Sequence, residues 1–166
     1  GNSNKGGDFL YRWGNPQNYD RGNGFSQILD AQHGVNWIEL GYPGEGNFIL
    51  FNNFHTNNSS AVLEIVPPIN SDGSYLIDSV EPYGPSSYSW IYQSDFFSDK
   101  QSGAFRLPNG NTLISSSLEG RIFEVNINGD LEWEYQGNMN TARAIKYSYD
   151  YFNSSILGDL YNDQYI

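Results

Sequence analysis

The stretch QSGAFRLPNGNTLISSSLEGRIFEVNINGDLEWEYQ, residues 101–136, decides the fold. It breaks into four short runs of strand length at 103–107, 112–116, 121–126 and 131–136. Turn chemistry separates the runs. Pro108-Asn109-Gly110-Asn111 lies between the first two and Asn128-Gly129 between the last two. Asn and Gly tolerate the positive φ that tight turns need, so the stretch reads as a compact antiparallel unit of four strands.

The chain writes this unit twice. Towards the N-terminus, QHGVNWIELGYPGEGNFILFNN from Gln32, then SSAVLEIVPP, then SYSWIYQ ending at Gln93, follow the same order. The expected strands are 35–40, 48–52, 61–66 and 89–93. An excursion at 67–87 separates the last two and holds NSDGSY, a hairpin-like turn, and the irregular YGPSS. A repeat of about 35–60 residues built from four strands is the signature of a β-propeller blade. The expected fold is all-β, a partial β-propeller of about two four-stranded blades plus flanking strands, with open β-sandwich-like packing as the alternative.

Further outward, FLYRW at 9–13 is similar to the closing strands SYSWIY and LEWEY, and GGD precedes it as NGD precedes LEWEY. It reads as a blade-closing strand at 8–13. Asn-Pro and Arg-Gly-Asn-Gly turn chemistry makes 15–24 a loop, and 26–31 is expected to form a short helical turn. ARAIKYS, 142–148, reads as the innermost strand of a third blade, with the tail from Tyr149 running over the surface. The chain is then one domain, 1–166: a closing strand at 8–13, a blade at 30–93, a blade at 101–136, and the start of the next blade with the tail at 140–166. Closed rings have roughly four to eight blades. Two blades leave open sheet edges, which favour pairing with another chain. A homo-oligomer, or completion by further N-terminal blades, is therefore expected.

Composition fits this reading and narrows the partners. The 166 residues include 13 Tyr, 10 Phe, 4 Trp and 18 Gly, a balance that favours strands and turns over helices. The net charge is −11, which disfavours nucleic acid and anionic membranes as partners, because both need a basic surface. Cysteine is absent, so no disulfide or thiolate metal site forms. No apolar run approaches a membrane span. There is no phosphate-binding Gly loop, dinucleotide motif, zinc spacing or serine nucleophile elbow. NSDGSY lacks the spacing and terminal Glu of a calcium loop. Neither a cofactor nor a metal is expected.

Several segments, in order, resemble the C-terminal part of the arylsulfotransferase (aryl-sulfate sulfotransferase) family: GGDFLYRWGNPQNYDRG, QHGVNWI, GNFILFNN, SAVLEIVPP and FRLPNGNTLISSSLEGRIFEV. The resemblance spans about residues 5–151. It implies a six-bladed propeller of which this chain is about half, and sulfuryl transfer from a phenol sulfate to a phenolic acceptor through a transient sulfohistidine, with no nucleotide-type donor. It also favours a periplasmic or extracellular location. The chemistry has a plain physical basis. Imidazole can accept the sulfuryl group, while cations or hydrogen-bond donors hold the sulfonate oxygens as charge moves to the leaving phenolate.

The chain has two histidines. His33, in AQHGVNWI, falls on the family motif and is expected at the mouth of the channel as the nucleophile. The motif departs from the common family pattern at Gly34, where an acid is usual, and at Asn36, where a histidine is frequent. Aligning the copies puts Ser102 at the place of His33 and Arg106 at that of Trp37, and sets Arg143 near Asn36. Arg143 is the expected sulfonate clamp, because a guanidinium fork suits oxyanions. Asn36, Ser102 and Arg106 are weaker substrate-binding candidates. Arg121 is expected as an ordinary strand charge, His55 as an exposed loop residue, and Trp37, Trp90 and Trp133 as packing residues within or between blades.

Overall fold

The computed structural model describes residues 7, 9–56, 58–148 and 151. Its eight strands are β1 His33–Trp37, β2 Phe48–Thr56, β3 Ser59–Ile65, β4 Trp90–Tyr92, β5 Gly103–Arg106, β6 Thr112–Ser116, β7 Arg121–Val125 and β8 Leu131–Gln136. They form two antiparallel four-stranded sheets, in the orders β1-β2-β3-β4 and β5-β6-β7-β8, and neither closes on itself. The eight strands expected of the two units form. The β2–β3 hairpin runs on to a Thr56–Ser59 pairing, past an irregularity after Asn52.

The two sheets pack face to face. Ile49, Phe51, Val62 and Tyr92 of the first sheet meet Ala104, Ile114, Phe123 and Val125 of the second, with Ile38 and Phe96 completing the core. The opposite face of the first sheet carries Leu50, Ala61 and Leu63, and Leu29, Trp13, Ile28 and Tyr88 cover it. The two central strands, β2 and β3, thus bury both of their alternating rows over most of their length, whereas the edge strand β1 is largely exposed.

Mapped onto the repeat, the core has a direction. Ile49 and Val62 correspond to Leu113 and Ile122, whereas Leu50 and Leu63 correspond to Ile114 and Phe123. The face by which the first sheet meets the second is therefore the face that the second sheet turns outward. A polar joint repeats in the same way. Glu64 on β3 accepts from Asn47 Nδ2 at 2.6 Å and from Arg106 Nη2 at 2.5 Å, the arginine coming from the first strand of the next unit. Glu124 on β7 accepts from Asn111 Nδ2 at 2.7 Å and from Lys146 Nζ at 2.5 Å. Lys146 thus does for the second unit what Arg106 does for the first.

Three local expectations are corrected. Residues 9–13 form no strand: Tyr11 Oη donates to Gly84 O and Trp13 Nε1 to Pro85 O, so side chains anchor the segment to the 67–87 excursion, which offers it no ladder. Burial, with Tyr19 and Tyr75 adding to it, pushes the Tyr11 hydroxyl well above its ordinary value and keeps it a donor. The helical turn expected at 26–31 is absent. The helical element among the described residues is a 3-10 turn, Pro16–Tyr19, which has Pro at its start and an Asn15 cap that accepts from Gln17 N. Residues 141–147 carry no strand pairing either. They hold their place through the Lys146 joint and the bond from Ser115 Oγ to Thr141 O. The hairpin-like turn in NSDGSY is present, with Ile69 bridging Tyr75. The tail expected on the surface lies outside the described residues except for Tyr151.

Candidate functional site

His33 opens β1 at the edge of the first sheet and is exposed. Its Nδ1 lies 2.9 Å from Ala31 O and 2.9 Å from Asn53 Oδ1. Both partners are carbonyl oxygens, which only accept, so Nδ1 is the donor. The neutral ring then carries its lone pair on Nε2.

The neighbouring strand is brought close by two glycines. A Cβ on Gly34 would sit 2.9 Å from Gly103 Cα, and Gly34 has φ +63°. Only glycine allows this approach with that backbone. On the far side of Gly103, the position of a Cβ lies 3.9 Å from Arg143 Cγ. The first strand of each unit and the segment that follows the second unit therefore line up, with His33, Ser102 and Arg143 at one end of the row. The alignment of Arg143 with Asn36 is corrected by this placement: the Arg106–Lys146 equivalence sets Arg143 level with Gly34 and Gly103. Arg143 is exposed and its guanidinium lies 6.0 Å from the Phe105 ring centroid. Among the described residues no carboxylate pairs with it.

The three weaker candidates are held by the protein itself. Asn36 Nδ2 donates to Gly34 O at 2.8 Å and to Ala104 O at 2.9 Å, tying β1 to β5. Ser102 is buried, and its Oγ accepts from Ser117 N. Arg106 is buried against Glu64, donates to Thr112 Oγ1 and Gly110 O, and lies over the Trp90 ring at 4.6 Å. Arg121 pairs with Glu134 on the next strand. These donors serve the scaffold, so His33 and Arg143 are the candidates that face solvent.

His55 departs from its expected loop. It lies within β2, half-buried, with Nδ1 buried and unbonded and the ring edge-on to Tyr88. Burial lowers its pKa. Among the tryptophans, Trp90 packs against the core as expected. Trp37 and Trp133 are half exposed, 48% and 51%, because β1 is an edge and no sheet among the described residues covers the outer face of the second.

The residue that sequence reasoning missed is Asn53. It is fully buried, and its Nδ2 donates to Ser98 O at 2.7 Å and Gln101 O at 3.2 Å. The signal was a polar residue inside a strand with no turn role. Around it, three non-glycine residues hold positive φ: Ala31 at 51°, Gln101 at 54° and Ser102 at 78°. Such conformations cost roughly 1–3 kcal/mol each and persist where the surroundings enforce them.

Three open clefts lie elsewhere. One of about 430 Å³ runs between Tyr19, Phe25 and Tyr83, and one of about 780 Å³ lies beside Arg12 and Gln32. One of about 650 Å³ covers the outer face of the second sheet at Leu113, Ile122 and Trp133. His33 and Arg143 line none of the three. No group of acids or histidines suited to a metal occurs among the described residues, and no helix among them is long and apolar enough to cross a membrane. Comparison with family models, with curated proteins and with solved structures found no match to this chain.

Proposed function

We propose that the chain is about half of an arylsulfotransferase-like β-propeller, with His33 as its sulfuryl-accepting nucleophile and Arg143 as its anion clamp. The observation that carries this reading is the His33 imidazole, tied at Nδ1 to two carbonyl oxygens and open at Nε2, with Arg143, which pairs with no carboxylate among the described residues, lying against Gly103 of the next strand. The repeated joint, Glu64–Asn47–Arg106 and Glu124–Asn111–Lys146, supports a propeller, because it describes units that succeed one another by one rule.

In this reaction the Nε2 lone pair forms an N–S bond as the S–O bond to the donor phenol breaks. The electron pair leaves on the phenolate, which is then protonated. An acceptor phenol, losing its proton, takes the sulfuryl group from His33 and restores the imidazole. Arg143 neutralises charge on the sulfonate oxygens throughout. Donor and acceptor are an aryl sulfate and a phenol, the reaction uses no cofactor, and the further cationic groups come from other blades or other copies of the chain. The location that goes with this family is periplasmic or extracellular.

Turnover of an aryl sulfate with a phenol acceptor tests the reading. Phenol release by the wild type and its loss in His33→Ala, with the fold intact, is the expected result. Equal release by both proteins removes His33 from the chemistry. A second reading, a non-catalytic module that assembles with partners, is favoured by one observation: Asn36, Ser102 and Arg106 spend their donors on the scaffold. It predicts no release by either protein.

A further inference from the structure

We propose that Asn53 is a positioning residue that dictates which nitrogen of His33 reacts. The inference rests on the reading of His33 as the nucleophile, but its geometry stands apart from that chemistry.

An amide side chain can face either way unless its surroundings choose. Here they do. Both contacts of Asn53 Nδ2, Ser98 O at 2.7 Å and Gln101 O at 3.2 Å, are acceptors. Turning the amide over would set its oxygen against two carbonyl oxygens in a site with no access to water, since Asn53 is 0% exposed. Oδ1 must therefore point at His33 Nδ1, 2.9 Å away. Ala31 O adds a second acceptor at the same distance. With two acceptors on Nδ1, its proton stays, and Nε2 is the nitrogen that presents a lone pair.

The carbonyls that orient Asn53 are themselves fixed. Ser98 N donates to Ser60 Oγ at 3.0 Å, and Ser60 Oγ donates to the Asn53 carbonyl at 2.8 Å. Ser98 Oγ donates to Lys100 O and accepts from Leu118 N. Gln101 is held in the left-handed region, which aims its carbonyl at Asn53. The 98–101 segment joins the two sheets, so the ring orientation of His33 depends on how the sheets are joined.

The second unit serves as an internal comparison. Ser102 stands where His33 stands and Ser117 where Asn53 stands. There the link runs from Ser117 N to Ser102 Oγ, a backbone bond that any residue at 117 other than proline could make. The side-chain acceptor is present only in the unit that has the histidine.

The test is the tautomer of His33, read by long-range proton–nitrogen NMR correlation on the full chain with labelled imidazoles, in alkaline buffer where the ring is neutral. The expected wild-type spectrum shows the proton on Nδ1 alone. In Asn53→Ser, the residue that the second unit uses, the tautomer ratio shifts roughly fivefold to tenfold towards Nε2–H, the effect of losing one of two hydrogen bonds. A wild-type mixture, or an Nε2–H ring, overturns the proposal without any variant having to fold. A folded Asn53→Ser with an unchanged ratio overturns it too, because Ala31 O would then suffice. A fixed Nδ1–H ring on a protein that never takes up sulfuryl from an aryl sulfate supports the positioning and removes the reaction, so the two failures are distinct.

Discussion

The two histidines show how much a single residue owes to its partners. His33 Nδ1 has two acceptors, whereas His55 Nδ1 is buried with none. Burial lowers the pKa of His55 below the ordinary 6.5. The unfolded chain therefore binds the proton more readily than the folded one, so the contribution of His55 is complete above about 6.5 and is lost as pH falls through the lowered value. Denaturant unfolding between pH 8 and 5 (roughly the range that spans an imidazole titration) should show this loss, and His55→Gln should flatten it. At Gly34, Ala would bring a Cβ to 2.9 Å from Gly103 Cα on a backbone at φ +63°. Gly34→Ala is expected to destabilise by about 2–4 kcal/mol, from strain and displacement of β5, measurable as a lowered denaturation midpoint. The sequence motif exposed His33 to view but not Asn53. The role of Asn53 exists only once folding brings up Ser98 and Gln101, residues 45 and 48 positions away, and no local pattern encodes that meeting.

At the scale of elements, the repeat and its turn chemistry were enough to find the eight strands, because each strand of the two units has a neighbour that completes it. The same local pattern misled at 9–13, where FLYRW has the composition of a closing strand but meets an irregular excursion through its side chains. It misled again at 142–148, where the strand-like sequence is held by its joint and has no partner strand among the described residues. The two joints differ in burial and should differ in worth. The Arg106 and Glu64 side chains are 1% and 9% exposed, whereas Lys146 is 55% exposed. Arg106→Ala strands a buried carboxylate and is expected to cost about 3–5 kcal/mol. Lys146→Ala removes a cation that is 55% exposed and leaves Glu124, 5% exposed, with its Asn111 and Asn109 donors, so it should cost less than Arg106→Ala. Urea titrations of the two variants give the comparison, and equal costs would contradict the buried character of the first joint. For Glu124 itself, burial acts to raise the pKa, but hydrogen bonds from Lys146, Asn111 and Asn109 outweigh it and hold the carboxyl below its usual range. That stabilisation is complete above about pH 4.5 and is lost as pH falls through the lowered value; Glu124→Gln should remove the acid-side slope it causes.

Over the whole molecule, asymmetry is the main feature. The first sheet is covered on both faces. The second turns Leu113, Ile122 and the half-exposed Trp133 to an open cleft. An apolar face beside open edges favours association, while a net charge of −11 opposes it between identical chains. Light scattering should therefore show self-association that strengthens with added salt, and a monomer at all salt concentrations would count against assembly from copies of this chain. The repeat in the sequence made this asymmetry partly legible, since it showed two units, but the direction of stacking emerged only from which of two equivalent rows, Leu50 with Leu63 or Ile49 with Val62, meets the second sheet. The central claim is that His33 takes a sulfuryl group. Intact-protein mass spectrometry after brief exposure to an aryl sulfate, with acceptor omitted, tests it most directly. The account predicts one acid-labile sulfuryl adduct, mapped to His33 and absent from His33→Ala; a folded wild-type protein that gains no adduct, or gains the same adduct when His33 is replaced, would contradict it.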